Sequence, residues 1–172
     1  FYLRISDELN LKRLIVGGYD KIFEIGRIFR NEGIDREHLQ DYTQMEMYWS
    51  YTDYKQLMNI VERLFTCVIE KTLGGLVHTY QGKEIDWSPP WSQIDYYEIF
   101  NQHTGLNLSR VSERELKKYA NDNNIDVQKH SGRGRLIDII FKKKVRPHLW
   151  KPGFLILPPV DIEPLAKRWP QD

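Results

Sequence analysis

Alternating apolar and polar residues between Lys21 and Thr52 form the clearest pattern in this chain. Successive side chains of a strand point to opposite faces, so residues 21–29 are predicted to form a strand with two distinct faces. Residues 42–51 alternate in the same way. The interval between the two runs is polar and contains Gly33, so the pattern predicts an antiparallel hairpin with a long loop.

One face of the predicted hairpin has an unusual number of polar and ionisable side chains, namely Glu24, Arg30, Gln44, Glu46 and Tyr48. A half-buried sheet commonly has a solvated outer face, which would account for them. Alternatively, this face lines a pocket in which Arg30 binds a carboxylate or phosphate through its fork of N–H donors. The alternation by itself leaves both interpretations open.

Helical periodicity and strand-like runs predict the other elements: helices at residues 7–16, 53–73, 94–103, 112–121 and 133–145, and short strands at residues 1–5, 77–80, 84–87 and 154–157. Ser6 is the predicted N-cap of the first helix, and Thr52 or Asp53 that of the second. Glycine pairs end both helices. Ser112 with Glu115 is predicted to form a capping box.

Several of these elements are expected to bury apolar side chains. The first two helices carry apolar residues at helical spacing, and Cys67 lies beside the second stripe, where it is expected to be a small packing residue. The helix at residues 133–145 should turn its lysines outward. The strand at residues 154–157 is expected to be buried.

Composition indicates an ordinary globular protein, with 41% hydrophobic and 28% charged residues among 172. A single cysteine excludes an internal disulfide and fits a reducing compartment. Since no apolar run has the length of a membrane span and no signal-peptide pattern is present, we expect a cytoplasmic protein without membrane contact.

The formal net charge of +1 conceals a local excess of positive charge. Residues 129–151 contain eight Lys or Arg and one acid, Asp138, which gives +7 there and −6 over the rest. Such an excess suits a polyanion such as RNA. A solvated helix face whose lysine stems cover apolar surface explains it equally well.

Other common chemical motifs are absent from the sequence. There is no Walker loop, dinucleotide fingerprint, Cys-x-x-Cys pair or His-Glu-x-x-His helix. The five histidines are scattered, so we predict no metal site within the chain.

Several segments resemble a known enzyme family. Phe29–Glu32, His38 and Tyr42–Glu46 resemble the second signature motif of class II aminoacyl-tRNA synthetases, and residues 2–18 and 159–167 resemble lysyl-tRNA synthetases in particular. The resemblance implies an α+β fold in which an antiparallel sheet is flanked by helices and carries a small helical insertion. We therefore expect a catalytic core at residues 1–90, the insertion at 91–151, and a return to the core at 152–172.

This family uses ATP to activate lysine and transfers it to tRNA, and the matching positions imply roles for residues of this chain. Arg30 would be the catalytic residue. The ATP-binding residues would be Arg30, Glu32, His38 and Tyr42. The lysine-binding residues would be Glu8, Arg30, Glu46 and Tyr48. Carboxylates are the partners that two desolvated ammonium groups require.

Departures from the family pattern qualify this expectation. Residues 39–42 resemble relatives specific for aspartate or asparagine. The family's third motif, the acidic residues that hold Mg²⁺, the dimer-forming first motif and the anticodon-binding domain do not occur in these 172 residues. We therefore expect this chain to be part of a longer, homodimeric enzyme, and we expect the 172 residues to be inactive on their own. The alternatives are a paralogue acting on a protein acceptor or another amino acid, and a non-catalytic binding module.

Overall fold

The computed structural model describes residues 2–34, 38–128 and 131–166. Predictions that fall on Phe1, Lys129, His130, residues 35–37 and residues 167–172 lie outside the described residues. The chain divides into two compact units, Phe1–Leu57 and Met58–Asp172. Helices and two-stranded sheets, both antiparallel and parallel, make up these units, so the predicted α+β class is confirmed.

The first unit contains one helix and one hairpin. α1 is Glu8–Val16, β1 is Lys21–Phe29 and β2 is Asp41–Trp49. The two strands pair antiparallel in continuous register along their whole length, which confirms the predicted hairpin. The ladder extends one step further, because the Arg30 amide donates to the Gln40 carbonyl at 2.8 Å.

The start of α1 differs from the prediction. Asp7, not Ser6, occupies the N-cap position, and it makes no side-chain cap because its buried carboxylate turns to Arg4, at 3.1 Å. Of the predicted apolar stripe, Leu11 is buried, whereas Leu9 is 69% exposed. The stripe therefore contributes little to the interior.

The division between the units falls within the long helix α2, Tyr54–Leu73. Asp53 accepts the Gln56 amide at 3.1 Å, and Gly74 follows the helix with φ of +80°, in agreement with the predicted ends. The predicted burial is wrong, since no residue of α2 is buried and Cys67 is exposed. Periodicity marks the positions that share one side of a helix, not whether another element covers that side.

The second unit contains two pairs of short strands. β3, Val77–Tyr80, and β4, Lys83–Asp86, form an antiparallel hairpin. Gln81 and Gly82 between them both have positive φ, as a two-residue hairpin turn requires.

The other pair is parallel and joins distant parts of the chain. β5, Ser92–Asp95, pairs with β6, Gly153–Ile156. The prediction placed Ile94 in a helix and missed β5, because a four-residue strand whose partner is about sixty residues away has no local signal. Leu155 of β6 is exposed, so the prediction of a buried strand was wrong there as well.

Three helices surround the main hydrophobic core of the second unit. They are α3, Tyr96–Thr104, α4, Glu113–Asp122, and α5, Arg133–Ile140. The core consists of Tyr96, Phe100, Leu108, Val111, Leu116, Ala120, Ile125, Leu136, Ile137, Ile140, Phe141 and Val145. No helix in the described ranges is long and apolar enough to cross a membrane.

Local signals in this region agree with the structure. Ser112 and Glu115 form the predicted capping box at the start of α4. The helix predicted at residues 133–145 is continuous, although its hydrogen bonding changes from α to π at Phe141–Val145 before a 3-10 turn at Arg146–His148. The expected boundaries of the insertion, at residues 91 and 151, stay a prediction.

Candidate functional site

The polar face of the hairpin is its sheltered face. The residues on this face are Ile22, Glu24, Gly26 and Ile28 of β1 and Tyr42, Gln44, Glu46 and Tyr48 of β2, and each is buried or half-buried. On the opposite face Phe23 and Ile25 are 70% and 62% exposed. α1 contacts both strands, and the Phe29 amide donates to the Arg4 carbonyl at 2.9 Å. The polar groups are therefore covered, unlike those of a solvated outer face.

Glu46 receives two side-chain hydrogen bonds on this face. The Tyr48 hydroxyl donates to Glu46 Oε1 at 2.5 Å, and Gln44 Nε2 donates to Oε2 at 2.8 Å. Burial raises the pKa of Tyr48, and its hydrogen bond to Glu46 and the charges of Glu46 and Glu8 raise the pKa further. Tyr48 therefore remains a donor at neutral pH and holds the Glu46 carboxylate in one orientation.

Glu8, the first residue of α1, reaches the same region. Its charge acts on the Tyr48 hydroxyl, and its carboxylate pairs with Lys12 one turn along the helix. The Lys12 ammonium lies 6.0 Å from the centre of the Tyr48 ring. A primary amine thus already lies close to both groups, so this acidic position accommodates an ammonium ion.

Arg30 follows β1 and is held by contacts on three sides. Its Nε donates to the Ile5 carbonyl at 3.2 Å, and its guanidinium carbon lies 5.7 Å from the centre of the Tyr42 ring. Its Nη1 is 3.9 Å from Glu32 Oε1. The side chain is 41% exposed, so the guanidinium remains accessible to an anionic ligand.

An open pocket of about 370 Å³ lies at the loop end of the hairpin. Glu32, Gly33, Ile34 and His38 line it. Its volume lies in the range of small-molecule sites. The four residues predicted to bind ATP are therefore linked by contacts or by this pocket.

The predicted residues form two groups along one face. Tyr42 belongs to the first and Glu46 to the second, and the two are four positions apart on the strand, which corresponds to roughly 13 Å. The first group offers a cation and an aromatic ring, which suit an anionic, aromatic ligand. The second offers two acids and a phenol, which suit ammonium groups. The assignment of each residue to a substrate stays a prediction.

Within residues 2–34, 38–128 and 131–166, no group of three or more His, Cys, Asp or Glu side chains could hold a metal ion. No step proposed below passes through a metal.

A family model described as tRNA synthetases class II (D, K and N) matches residues 1–172. The chain belongs to this family.

Similar curated proteins include lysine–tRNA ligases from several bacteria. That of Nostoc punctiforme is 44% identical over 170 residues, which are 96% of this chain and 30% of the relative. That of Prochlorococcus marinus strain MIT 9215 is 43% identical over 169 residues, 96% of this chain and 33% of the relative. That of Carboxydothermus hydrogenoformans is 43% identical over 169 residues, 97% of this chain and 34% of the relative. The chain thus spans about a third of the length of these relatives.

Sequence reasoning missed two residues that the structure brings to the polar face. Both Lys12 and Arg4 lie within residues 2–18, which resemble lysyl-tRNA synthetases, but no pattern in the sequence assigns either of them a role. The i,i+4 spacing of Glu8 and Lys12 could have indicated their ion pair. Arg4 lies outside any regular element, so no periodicity could have indicated its contacts.

Proposed function

We propose that this chain provides the lysine-recognition surface and part of the ATP-binding surface of a lysine–tRNA ligase. The observation that carries the proposal is the placement of two acids, Glu8 and Glu46, close to Tyr48 on a sheltered strand face. The family membership and the lysine–tRNA ligases among the similar proteins support the same conclusion.

Lysine has two ammonium groups, and each needs an anionic partner when it leaves water. In this proposal Glu46 binds the α-ammonium. Glu8 and Tyr48 bind the side-chain ammonium, which takes the place that the Lys12 ammonium has in the free protein. The support is that Lys12 already pairs with Glu8 near the Tyr48 ring.

ATP binds at the loop end of the hairpin in the same proposal. Tyr42 stacks on the adenine, Glu32 accepts a hydrogen bond from it, and His38 contacts the terminal phosphates. The pocket lined by Glu32 and His38 and the closeness of Arg30 to Tyr42 support this arrangement.

Arg30 acts at the point where the two substrates react. A carboxylate oxygen of lysine attacks the α-phosphorus of ATP, the bond from this phosphorus to the bridging oxygen breaks, and pyrophosphate leaves. Negative charge is highest where the two anions meet, and a fixed guanidinium there stabilises the transition state more than the separated reactants. In the second step a hydroxyl of the tRNA attacks the carbonyl carbon of lysyl-adenylate, and AMP leaves.

The remaining features of the proposal concern partners and location. The acceptor is tRNA, and residues 129–151 with their positive charge are the part of the chain proposed to face it. The enzyme is proposed to be a homodimer that works in the cytoplasm, where tRNA is charged. The insertion at residues 91–151 remains part of this proposal.

Amino-acid-dependent ATP–pyrophosphate exchange tests the proposal. The protein expressed from the complete reading frame that contains these residues is assayed with lysine, aspartate and asparagine in parallel. We expect exchange with lysine alone. Exchange with aspartate or asparagine would refute the assignment of Glu8 and Glu46 to lysine, and no exchange with any amino acid would favour a binding module.

The isolated 172-residue chain provides a second test. Because it spans about a third of the length of its relatives, we expect no lysyl-adenylate from this chain alone. Lysine-dependent exchange by the isolated chain would contradict that expectation.

A further inference from the structure

Arg4 lies across the polar face of the hairpin and contacts three residues of the first unit. Its Nε donates to the Arg27 carbonyl at 2.8 Å. Its Nη1 donates to Glu24 Oε1 and lies 3.1 Å from Asp7 Oδ1. The guanidinium therefore joins the residue before α1 to two positions on β1.

Gly26 provides the space for this side chain. A Cβ atom at Gly26 would overlap Arg4 Nη2. The backbone of Gly26 has no positive φ, so the glycine is needed for close approach and not for conformation. Any other residue at this position would displace the Arg4 guanidinium from the strand.

Arg4 is the cationic partner of the buried Asp7 side chain. Asp7 is 1% exposed, and its Oδ2 atom has no hydrogen-bond partner among the residues that the structure describes. A buried carboxylate without a cationic partner is strongly unfavourable, so Arg4 holds Asp7, and with it the N-terminus of α1, against the hairpin. Glu8 is the next residue in the chain and moves with Asp7.

Glu24 connects Arg4 to the acid on the neighbouring strand. Glu24 and Glu46 are directly opposite each other in the register of β1 and β2. Like charges at such a cross-strand pair repel. Because Arg4 pairs with Glu24, it offsets this repulsion and leaves the charge of Glu46 available for a ligand.

We propose that Arg4, for which Gly26 leaves room, is a positioning residue for the acidic group formed by Glu8, Glu46 and Tyr48: it joins Asp7 to Glu24 and so keeps Glu8 close to Glu46 and Tyr48. This inference rests on the proposed function, because it takes lysine as the ligand of this acidic group. Arg4 touches neither substrate in this arrangement. Its effect is to place the two acids that do.

Amide hydrogen exchange in the 172-residue chain tests the contacts of Arg4, and it requires no enzymatic activity. The Phe29 amide donates to the Arg4 carbonyl, and the Leu11 amide donates to the Asp7 carbonyl at 3.0 Å. We expect Arg4→Met and Gly26→Ala to lower the protection of both amides by about tenfold or more. Arg13→Met, on the exposed side of α1, is the matched control and should leave both unchanged.

Steady-state kinetics of the protein expressed from the complete reading frame test whether Arg4 affects the KM for lysine. Arg4→Met and Gly26→Ala should raise the lysine KM by about tenfold, the effect of losing one charge-assisted contact, and change the ATP KM by less than about twofold. Glu24→Gln in the Arg4→Met background should recover part of the lysine KM, because it removes the charge that Arg4 offsets. A residue that only stabilises the fold would not show this recovery.

The hydrogen-exchange and kinetic results can each contradict the proposed role of Arg4. Unchanged amide protection in both variants, equal changes in the KM values of lysine and ATP, or no recovery with Glu24→Gln would overturn it. If the unsubstituted protein shows no lysine-dependent exchange, the proposed function fails, and the lysine part of the inference fails with it. Hydrogen exchange still decides, in that case, whether Arg4 holds α1 on the hairpin.

Discussion

Glu8→Gln is the sharpest test of the proposed lysine site, because it removes one charge and hardly changes the size of the side chain. Glu8 pairs with Lys12 on the surface of α1, and its side chain is 50% exposed. A hydrogen bond to a charged group contributes about 1.5–3 kcal/mol, and partial exposure favours the lower value. We therefore expect the kcat/KM for lysine to fall by about tenfold.

Glu113→Gln is a matched control for this substitution. Glu113 begins α4 and pairs with Lys117 at 2.6 Å, four residues along the helix, with its side chain 46% exposed. Each substitution removes one exposed helical ion pair that contributes about 0.3–0.5 kcal/mol, so the two should affect stability equally. Lysine-dependent pyrophosphate exchange at saturating ATP is measured for both variants.

Two results would refute the reasoning about Glu8. One is a kcat/KM for lysine that changes by less than about twofold in Glu8→Gln. The other is an equal loss in Glu8→Gln and Glu113→Gln, which would reflect a lost helical ion pair and not a lost contact to the substrate. A tenfold loss confined to Glu8→Gln supports the proposed site.

Tyr48, the cap of α4 and the lysines at 142–144 can each be tested by substitution. Tyr48→Phe should leave the near-ultraviolet tyrosine titration unchanged up to about pH 11, because the raised pKa of Tyr48 keeps it from ionising there; one fewer titrating tyrosine would contradict this. Ser112→Ala should lower the free energy of unfolding by about 1 kcal/mol in urea denaturation at neutral pH. Hydrogen bonds from Ser112 lower the pKa of Glu115, so the difference should shrink as the pH falls below 4.5, and a constant difference would exclude Glu115 from the cap. Reversing the charges of Lys142–Lys144 should weaken tRNA binding and its salt dependence more than Lys118→Glu does; equal effects would place tRNA elsewhere.

Features with a local cause could be predicted from the sequence. The alternation in residues 21–29 and 42–51 identified both strands of the hairpin and the side chains that share each face. The capping box of Ser112 and Glu115 and the helix end before Gly74 were predictable for the same reason. In each case the residues that interact lie within a few positions of one another or share a simple period.

Some of the predicted site residues lie on the same hairpin, whereas others come together only when separate elements pack. The motif placed Arg30, Glu32 and Tyr42 on one hairpin, and the structure brings these three together. Glu8 lies on a different element, and its closeness to Tyr48 depends on how α1 packs on the hairpin. The pattern of the hairpin contains no information about that packing.

By itself, the sequence determined the existence of the hairpin, the residues on each of its faces and most helix ends, because these depend on backbone geometry and near neighbours. Only the tertiary structure decided that the polar face is sheltered while Phe23 and Ile25 are exposed, since contacts from residues before β1 produce the cover. The pairing of β5 with β6 and the fit of Arg4 against Gly26 were decided in the same way. These features depend on residues far apart in the chain, and their contacts arise only when the elements pack.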